Sequence, residues 1–223
     1  MLNKLKNGFL TGNQLKFIAL ITMTLDHIGA YLLPQYLILR IIGRIAMPVF
    51  AFKIAEGCRY TKNRKKYLSL LISMSVLFQV VYLIFMHSLE MCIFVTFSLS
   101  VILIYLLDNA LDKKDDISIA AFAAGLAAVY FITRYFSVDY GFFGVLIPVL
   151  IYPVSTKRMK LVMTALGLVL LSYAYRGVQW YCFMALPLLA LYNGKRGKYN
   201  MKYLFYIYYP VHLVIIYFIG FFV

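Results

Sequence analysis

The sequence predicts an all-α polytopic membrane protein, a bundle of about nine transmembrane helices. Of its 223 residues 64% are hydrophobic, whereas a soluble domain is about 45–50% apolar. Its apolar runs are also continuous, and they are longer than the alternating strands of ~10 residues that form a membrane barrel. Composition and run length together exclude a soluble globular protein and a membrane β-barrel, and they favour helices that cross a bilayer.

A helix that crosses the bilayer needs ~17–22 mostly apolar residues, and segments of about this length recur along the chain. The count ranges from eight to ten, because the sixth to eighth segments are short or run together. The predicted spans are residues 14–33, 37–56, 67–87, 91–107, 117–134, 139–154, 161–175, 177–192 and 202–222. No long linker separates them, so we expect residues 1–223 to form a single domain.

Basic residues mark the orientation of the bundle. The formal net charge of +14 is concentrated in alternate loops between the apolar runs, whereas the opposite loops hold only Arg134 and Arg176. The basic segments are residues 4–6, 59–66, 113–114, 157–160 and 195–202. The positive-inside rule then predicts a multi-pass protein of the cell membrane with a cytoplasmic N-terminus and an external C-terminus. This distribution favours membrane lipids over nucleic acid as the partner of the basic residues.

The first two predicted spans, residues 14–57, carry the strongest functional signal. Ionisable side chains at membrane depth cost a few kcal/mol each, and they are found mainly where they are paired or face a polar cavity. The hairpin holds seven candidates, which are Lys16, Asp26, His27, Arg40, Arg44, Lys53 and Glu56. The three cysteines of the chain show no metal-ligand spacing, so no metal is expected.

Helix geometry divides these side chains into two groups at different depths. His27 follows Lys16 by eleven residues, which is ~16 Å along a helix and close to three full turns. The second span returns toward the cytoplasm, so its first half matches the depth of His27 and its second half that of Lys16. The predicted outer group is Asp26, His27, Arg40 and Arg44. The predicted inner group is Lys16, Lys53, Glu56 and Arg59.

The outer group suits acid–base chemistry. Histidine is the side chain whose ordinary pKa lies near neutrality, so His27 is the candidate acid or base. Asp26 lies about 100° around the helix from His27, which favours a pairing with Arg40 or Arg44. The arginines are candidates to bind a phosphate or an oxyanion. The alternative is that Asp26 and the arginines form a buried ion pair that only fixes the packing of the two spans.

The inner group has two interpretations as well. Its basic side chains can hold a polyanionic ligand, or they can anchor the helices by reaching the cytoplasmic interface. Lys53 and Glu56 are three residues apart, which also suits a local pair on one helix.

Two further pairs of residues are candidates near the outer side. His212 follows Tyr209 in the last span, where it is either a buried histidine with a tyrosine partner or a member of the site. Asp139 and Tyr140 open the sixth span, where they either line an entrance for the acceptor or cap the helix.

Four segments of the sequence resemble the TraX family. They are LKFIALITMTLDHIG, LRIIGRIAMPVFAFKIAEG, VDYGFFGVLIP and KYLFYIYYPVHL, in that order. The family is named for the conjugation protein required for N-terminal acetylation of F-type pilin, and it resembles a wider group of transmembrane acyltransferases. In the acyltransferase-3 members a basic residue precedes a functional histidine by eleven positions, as Lys16 precedes His27. Arg40 and Arg44 resemble the arginine pair of that group, but three residues separate them here instead of two.

The resemblance implies an acyltransferase that moves an acetyl group from cytoplasmic acetyl-CoA to an acceptor reached from the outer side. The acceptor would be a hydroxyl or an amine, on a surface glycan, a lipid-linked sugar or a pilin-type peptide. Phosphates of acetyl-CoA would lie at the inner group and the thioester near His27, as general base or as transient acetyl carrier. The alternative is a small-molecule or proton-coupled transporter that uses the same buried cluster. That alternative predicts an inverted repeat, and the sequence shows no second copy of the 14–57 pattern.

Overall fold

The computed structural model describes residues 8–85, 88–198 and 202–222, and its regular elements there are helices. Two isolated parallel β-bridges also occur in these ranges, one between Leu10 and Tyr192 and one between Met91 and Val138. The α-helices are α1 Gly12–Tyr31, α2 Leu37–Gly43, α3 Ala46–Tyr60, α4 Arg64–Phe85, α5 Ile93–Lys113, α6 Asp116–Tyr135, α7 Gly141–Ile151, α8 Lys157–Tyr175, α9 Ala185–Ala190 and α10 Lys202–Gly220. A 3₁₀ helix, Gly177–Met184, precedes α9.

Helix α1 begins where the sequence provides a cap. The Thr11 hydroxyl accepts a hydrogen bond from the Gln14 amide, and the Gln14 side chain accepts one from the Thr11 amide, which forms a capping box. Each bond satisfies a backbone donor that a helix start leaves open. The helix then runs without a break to Tyr31, so the predicted rise of ~16 Å from Lys16 to His27 holds.

The predicted second span, 37–56, is divided between two helices. Helix α2 ends at Gly43, and α3 begins at Ala46. Pro48 explains the break, because proline has no amide hydrogen to donate to the carbonyl of Arg44 and its ring clashes with that carbonyl in a continuous helix. Arg44 is the residue that caps the end of α2.

The predicted span 177–192 is also interrupted. Its first half is the 3₁₀ helix, and its second half is the short helix α9. Pro187 prevents the α-helical hydrogen bond to Phe183 in the same way. The predicted sixth span is shorter than expected, since α7 covers only Gly141–Ile151.

Within the part of the chain that the structure describes, four helices are long and apolar enough to cross a bilayer, namely α4, α5, α6 and α8. Shorter apolar helical stretches are Gly141–Ile151, Gly177–Ala190 and Ile207–Gly220. The chain is thus a helical membrane protein. The span count of about nine and the orientation stay predictions.

The chain forms two compact units. The first comprises Met1–Lys53 with Leu168–Val223, and the second comprises Ile54–Gly167. In the first, α1 packs on α2 and α10, and α2 packs on the 3₁₀ helix. In the second, α5 packs on α4, α6 and α7. The helices α3 and α8 continue from one unit into the other, and the single-domain prediction is left as a prediction.

Candidate functional site

Two glycines allow α1 and α2 to approach closely in the first unit. A Cβ atom on Gly29 would lie 2.7 Å from Cβ of Leu39, and one on Gly43 would overlap the side chain of Asp26. Small residues at such contacts bring helix backbones together in membrane proteins. The approach places the end of α2 directly against Asp26.

Asp26 accepts hydrogen bonds from Arg40 of α2 and from Arg44, the residue that follows this helix. Arg40 Nη1 donates to Asp26 Oδ2 at 2.7 Å and to the Asp26 carbonyl at 3.1 Å, and Arg44 Nη2 donates to Asp26 Oδ1. The sequence predicted that Asp26 pairs with Arg40 or Arg44, and in the structure it pairs with both. One carboxylate facing two guanidinium groups leaves one net positive charge, which suits a site for an anion or a developing oxyanion.

The two arginines differ in how much of their donor capacity is used. Arg44 is buried, and it also donates through Nη1 to Gln179 Oε1 at 3.3 Å and through Nε to the Arg40 carbonyl at 3.4 Å. Arg40 is 30% exposed at its side chain. Across the described ranges its Nε and Nη2 make no hydrogen bond, so Arg40 is the better placed of the two to contact a ligand.

His27 is paired with His212 of α10. His27 Nδ1 lies 2.8 Å from His212 Nε2, and the two rings lie nearly parallel with centroids 5.0 Å apart. His212 Nδ1 lies 3.1 Å from the backbone carbonyl of Tyr208. His212 is buried and contacts His27, and its membership of a functional site stays a prediction.

The carbonyl of Tyr208 determines the proton positions of the neutral pair. A carbonyl only accepts, so His212 Nδ1 carries the hydrogen and His212 Nε2 carries a lone pair. His27 Nδ1 then donates to that lone pair. His27 Nε2 is left with a lone pair of its own, which is the form that a general base or nucleophile requires.

Aromatic rings hold the two histidines in place. Tyr208 stacks on His212 at 5.3 Å between centroids, and the buried Tyr209 meets both imidazoles edge to face, at 6.4 Å from His27 and 5.4 Å from His212. The Tyr208 hydroxyl is itself 2.7 Å from Thr24 Oγ1 on α1. These contacts tie α10 to α1 on both sides of the histidine pair.

The predicted inner group is divided between the two units. Lys16 and Lys53 belong to the first. Lys53 Nζ donates to the Tyr192 hydroxyl at 2.9 Å and lies 4.4 Å from the centre of that ring. Close by, the amides of Gly12 and Asn13 donate to the carbonyls of Lys195 and Arg196, which brings a basic loop to the start of α1.

Glu56 and Arg59 belong to the second unit. The buried Glu56 accepts a hydrogen bond from Lys160 at 3.3 Å. Arg59 donates to the Tyr152 carbonyl, and its guanidinium lies 5.8 Å from the Tyr152 ring centre. Both side chains thus take part in packing within this unit, and their predicted contact with a phosphate is untested.

Asp139 does not cap α7. The residue before the helix is Tyr140, whose backbone is left-handed (φ 58°) and whose side chain makes no capping hydrogen bond. The Asp139 backbone instead donates to the Met91 carbonyl and accepts from the Thr96 hydroxyl. A part in admitting the acceptor stays a prediction for both residues.

Sequence reasoning missed three members of the first unit's site: Gln179, Tyr208 and Thr24. A signal existed for Gln179, because a carboxamide within an apolar run is costly in a membrane unless it is bonded. Thr24 and Tyr208 gave no comparable signal, since their contact joins positions 184 residues apart in sequence. No cluster of histidine, cysteine and carboxylate side chains able to hold a metal occurs among the residues that the structure describes.

The fold and site define a helical membrane protein with a buried histidine pair beside a carboxylate shared by two arginines. The sequence profile described as TraX protein matches residues 11–220. The chain belongs to the TraX family.

Two relatives match the chain to different extents. The "Probable fimbrial assembly protein FimC, serogroup H1" of Dichelobacter nodosus is 29% identical over 239 residues, which cover 91% of this chain and 93% of that protein. The "Uncharacterized protein RP591" of Rickettsia prowazekii (strain Madrid E) is 68% identical over 38 residues, or 17% of this chain and 15% of that protein. No solved structure matches the chain.

Proposed function

We propose that this TraX-family protein is an integral membrane acetyltransferase. It moves an acetyl group from cytoplasmic acetyl-CoA to a hydroxyl or amine reached from the outer side of the membrane. The observation that carries the proposal is the histidine pair, because the hydrogen-bond sequence from Tyr208 through His212 leaves His27 Nε2 with a free lone pair. An imidazole held in one tautomer by a hydrogen-bonded partner is the arrangement that acyl transfer uses for proton transfer.

In the proposed reaction His27 Nε2 removes the proton of the acceptor hydroxyl or amine as its oxygen or nitrogen attacks the thioester carbonyl carbon. The carbonyl oxygen becomes an oxyanion, and the free Nε and Nη2 of Arg40 supply the donors that stabilise it. The C–S bond then breaks, and the CoA thiolate takes up the proton from His27. The acetyl group ends on the acceptor, His27 returns to its neutral form and CoA leaves as the free thiol.

The remaining residues of the outer group hold this arrangement. Asp26 orients Arg40 through two hydrogen bonds, and Arg44 completes the charge balance on the other carboxylate oxygen. A net positive charge in a site of low polarity favours the transition state over the neutral thioester, because the charge interacts more strongly with the oxyanion.

The phosphates of acetyl-CoA are assigned to Lys16 and Lys53 at the other end of α1. The helix separates Lys16 from His27 by ~16 Å, a length that the pantetheine arm spans. The acceptor is a surface glycan, a lipid-linked sugar or a peptide amine. A subunit of a surface fibre is included because the Dichelobacter nodosus relative carries a name in fimbrial assembly.

The test is acetyl transfer from radiolabelled acetyl-CoA by the purified protein to a panel of surface glycans, lipid-linked sugars and peptide amines. We expect transfer by the wild type and by His87→Ala, which removes a histidine that the proposed reaction does not use. His27→Ala should lose about 10²–10⁴-fold in rate. Equal transfer by wild type and His27→Ala would overturn the catalytic assignment. Absence of transfer together with substrate-driven flux into liposomes would favour the transporter.

A further inference from the structure

The buried carboxamide of Gln179 has one half of its hydrogen-bonding capacity committed and the other half open. Its Oε1 accepts from Arg44 Nη1 at 3.3 Å. Its Nε2 is fully buried and finds no hydrogen-bond partner among the residues that the structure describes. The whole residue is only 4% exposed, so bulk water does not satisfy the donor.

Arg44 fixes which end of the amide is open. The oxygen and nitrogen of a glutamine side chain exchange places when the group flips. A guanidinium is donor-only, so a flip would set Nε2 against Arg44 Nη1, donor to donor. The oxygen therefore faces Arg44, and the nitrogen faces away from it with two hydrogens to donate.

The neighbouring thiol does not remove the need for a partner. Cys182 lies beside the Gln179 side chain and is itself fully buried, but sulfur is a weak acceptor. A buried amide donor without a strong acceptor is costly to the folded protein. An unsatisfied buried donor in a native structure calls for an explanation, and an acceptor supplied by a ligand is one.

We propose that Gln179 Nε2 is a binding donor for a carbonyl oxygen of the acyl-CoA arm, so that Gln179 and Arg40 together form the donor wall of the site. This inference rests on the proposed function. Both residues are attached to the Asp26–Arg44 pair, Arg40 through Asp26 and Gln179 through Arg44, and both have unused N–H groups. A wall that offers only donors fits a ligand that offers acceptors, and the thioester and pantetheine amides of acetyl-CoA are such acceptors.

Two substitutions separate the open donor from the bond to Arg44. Gln179→Glu keeps an oxygen for Arg44 and removes the donor, whereas Gln179→Leu removes both. We expect each to lower kcat/KM for acetyl-CoA by roughly 10-fold, the value of one neutral hydrogen bond. Cys182→Ala is the matched control, since it removes the neighbour of the amide without touching Arg44, and it should keep wild-type kinetics. Thermal unfolding without ligand checks that each variant is folded.

The kinetic constants identify the carbonyl. A fall in kcat places the contact on the thioester carbonyl, whose hydrogen bond strengthens as the oxyanion forms, and a rise in KM alone places it on a pantetheine amide. Wild-type kinetics in Gln179→Glu, with a loss only in Gln179→Leu, would overturn the proposal, because Gln179 would then act through Arg44 alone. A loss in Cys182→Ala equal to that in Gln179→Leu would overturn it as well. An inactive wild type is the separate result that refutes the acetyltransferase function.

Discussion

Asp26 is the counter-ion of two arginines of the outer group at once. Its two carboxylate oxygens are divided between Arg40 and Arg44, and the carboxylate is buried. A buried cation that loses its counter-charge keeps the cost of desolvation and gains nothing in return. The same residue therefore supports both interpretations that the sequence left open, because the ion pair that fixes the packing also positions the arginines.

The substitution Asp26→Asn should destabilise the protein by about 3–5 kcal/mol, since it leaves the buried guanidinium of Arg44 and the partly exposed one of Arg40 beside a neutral amide. Thermal unfolding of the purified protein in detergent measures the effect. Asp112→Asn, at an exposed position near the end of α5, is the matched control and should unfold as the wild type does. Unfolding of Asp26→Asn at the wild-type temperature would show that the cluster has another source of counter-charge.

His212 acts on the reaction through His27. In His212→Phe the ring keeps its packing against Tyr208 and Tyr209 but offers no acceptor to His27 Nδ1, so the imidazole is free to turn or to change tautomer. We expect kcat for acetyl transfer to fall by on the order of 10-fold or more, with KM for acetyl-CoA little changed. His212→Gln should recover part of the activity, because its Oε1 can accept the same hydrogen bond. Equal activity in all three forms would mean that the pair serves packing only.

At the scale of helices, close contact between α1 and α2 determines whether the site forms. Gly43 lies against the side chain of Asp26, with no room for a Cβ atom. The break near Pro48 lets α2 end at Gly43, three residues before the next helix α3 begins at Ala46. The local sequence thus explains both the turn and the close approach.

The substitution Gly43→Ala should destabilise the protein by about 1–3 kcal/mol, the range for overpacking a close contact, and should reduce acetyl transfer because the methyl group displaces Asp26. Gly220→Ala is the control, since its added methyl would meet only the flexible end of Leu32 at 3.3 Å. Both variants would be compared by thermal unfolding and by transfer rate. A Gly43→Ala protein with wild-type values for both would contradict the described packing of α1 on α2.

Some helix boundaries could be predicted from the local sequence, and others could not. The continuous helix α1 follows from its capping box and its apolar run, and the pairing of Asp26 with the arginines was predicted from helical geometry. Pro48 and Pro187 mark weak points within their predicted spans, but the sequence did not show that the α-helix is interrupted there. In membrane helices a proline is compatible with either a kink or a stop, and sequence alone does not choose between them.

At the scale of the whole molecule, the charges of the loops predict how the chain is oriented in the membrane, and this orientation can be measured. Alternation of basic loops places the segment 59–66 in the cytoplasm and the loop around Ser137 outside. In a cysteine-free background, a membrane-impermeant thiol reagent added to intact cells should label Ser137→Cys and not Lys62→Cys. Permeabilised cells should show labelling at both positions. The reverse pattern would invert the proposed direction of acetyl transfer.

The sequence did not predict the contacts between residues that lie far apart in the chain. Its first hairpin identified Asp26, His27, Arg40 and Arg44 as a group, because helix periodicity relates positions that are near in sequence. The partner of His27 is 185 residues away, and Gln179 is 135 residues from Arg44. Pairings over such separations depend on which helices pack together, and hydrophobic patterns that are apolar on all sides do not specify this.

The most direct test of the account is the single-turnover rate of acetyl transfer by wild-type protein, His27→Ala and His87→Ala in lipid nanodiscs. Single-turnover conditions report the chemical step and exclude product release. The account predicts equal rates for wild type and His87→Ala and a rate lower by about 10²–10⁴-fold for His27→Ala. A His27→Ala protein that is folded and transfers acetyl at the wild-type rate would contradict it.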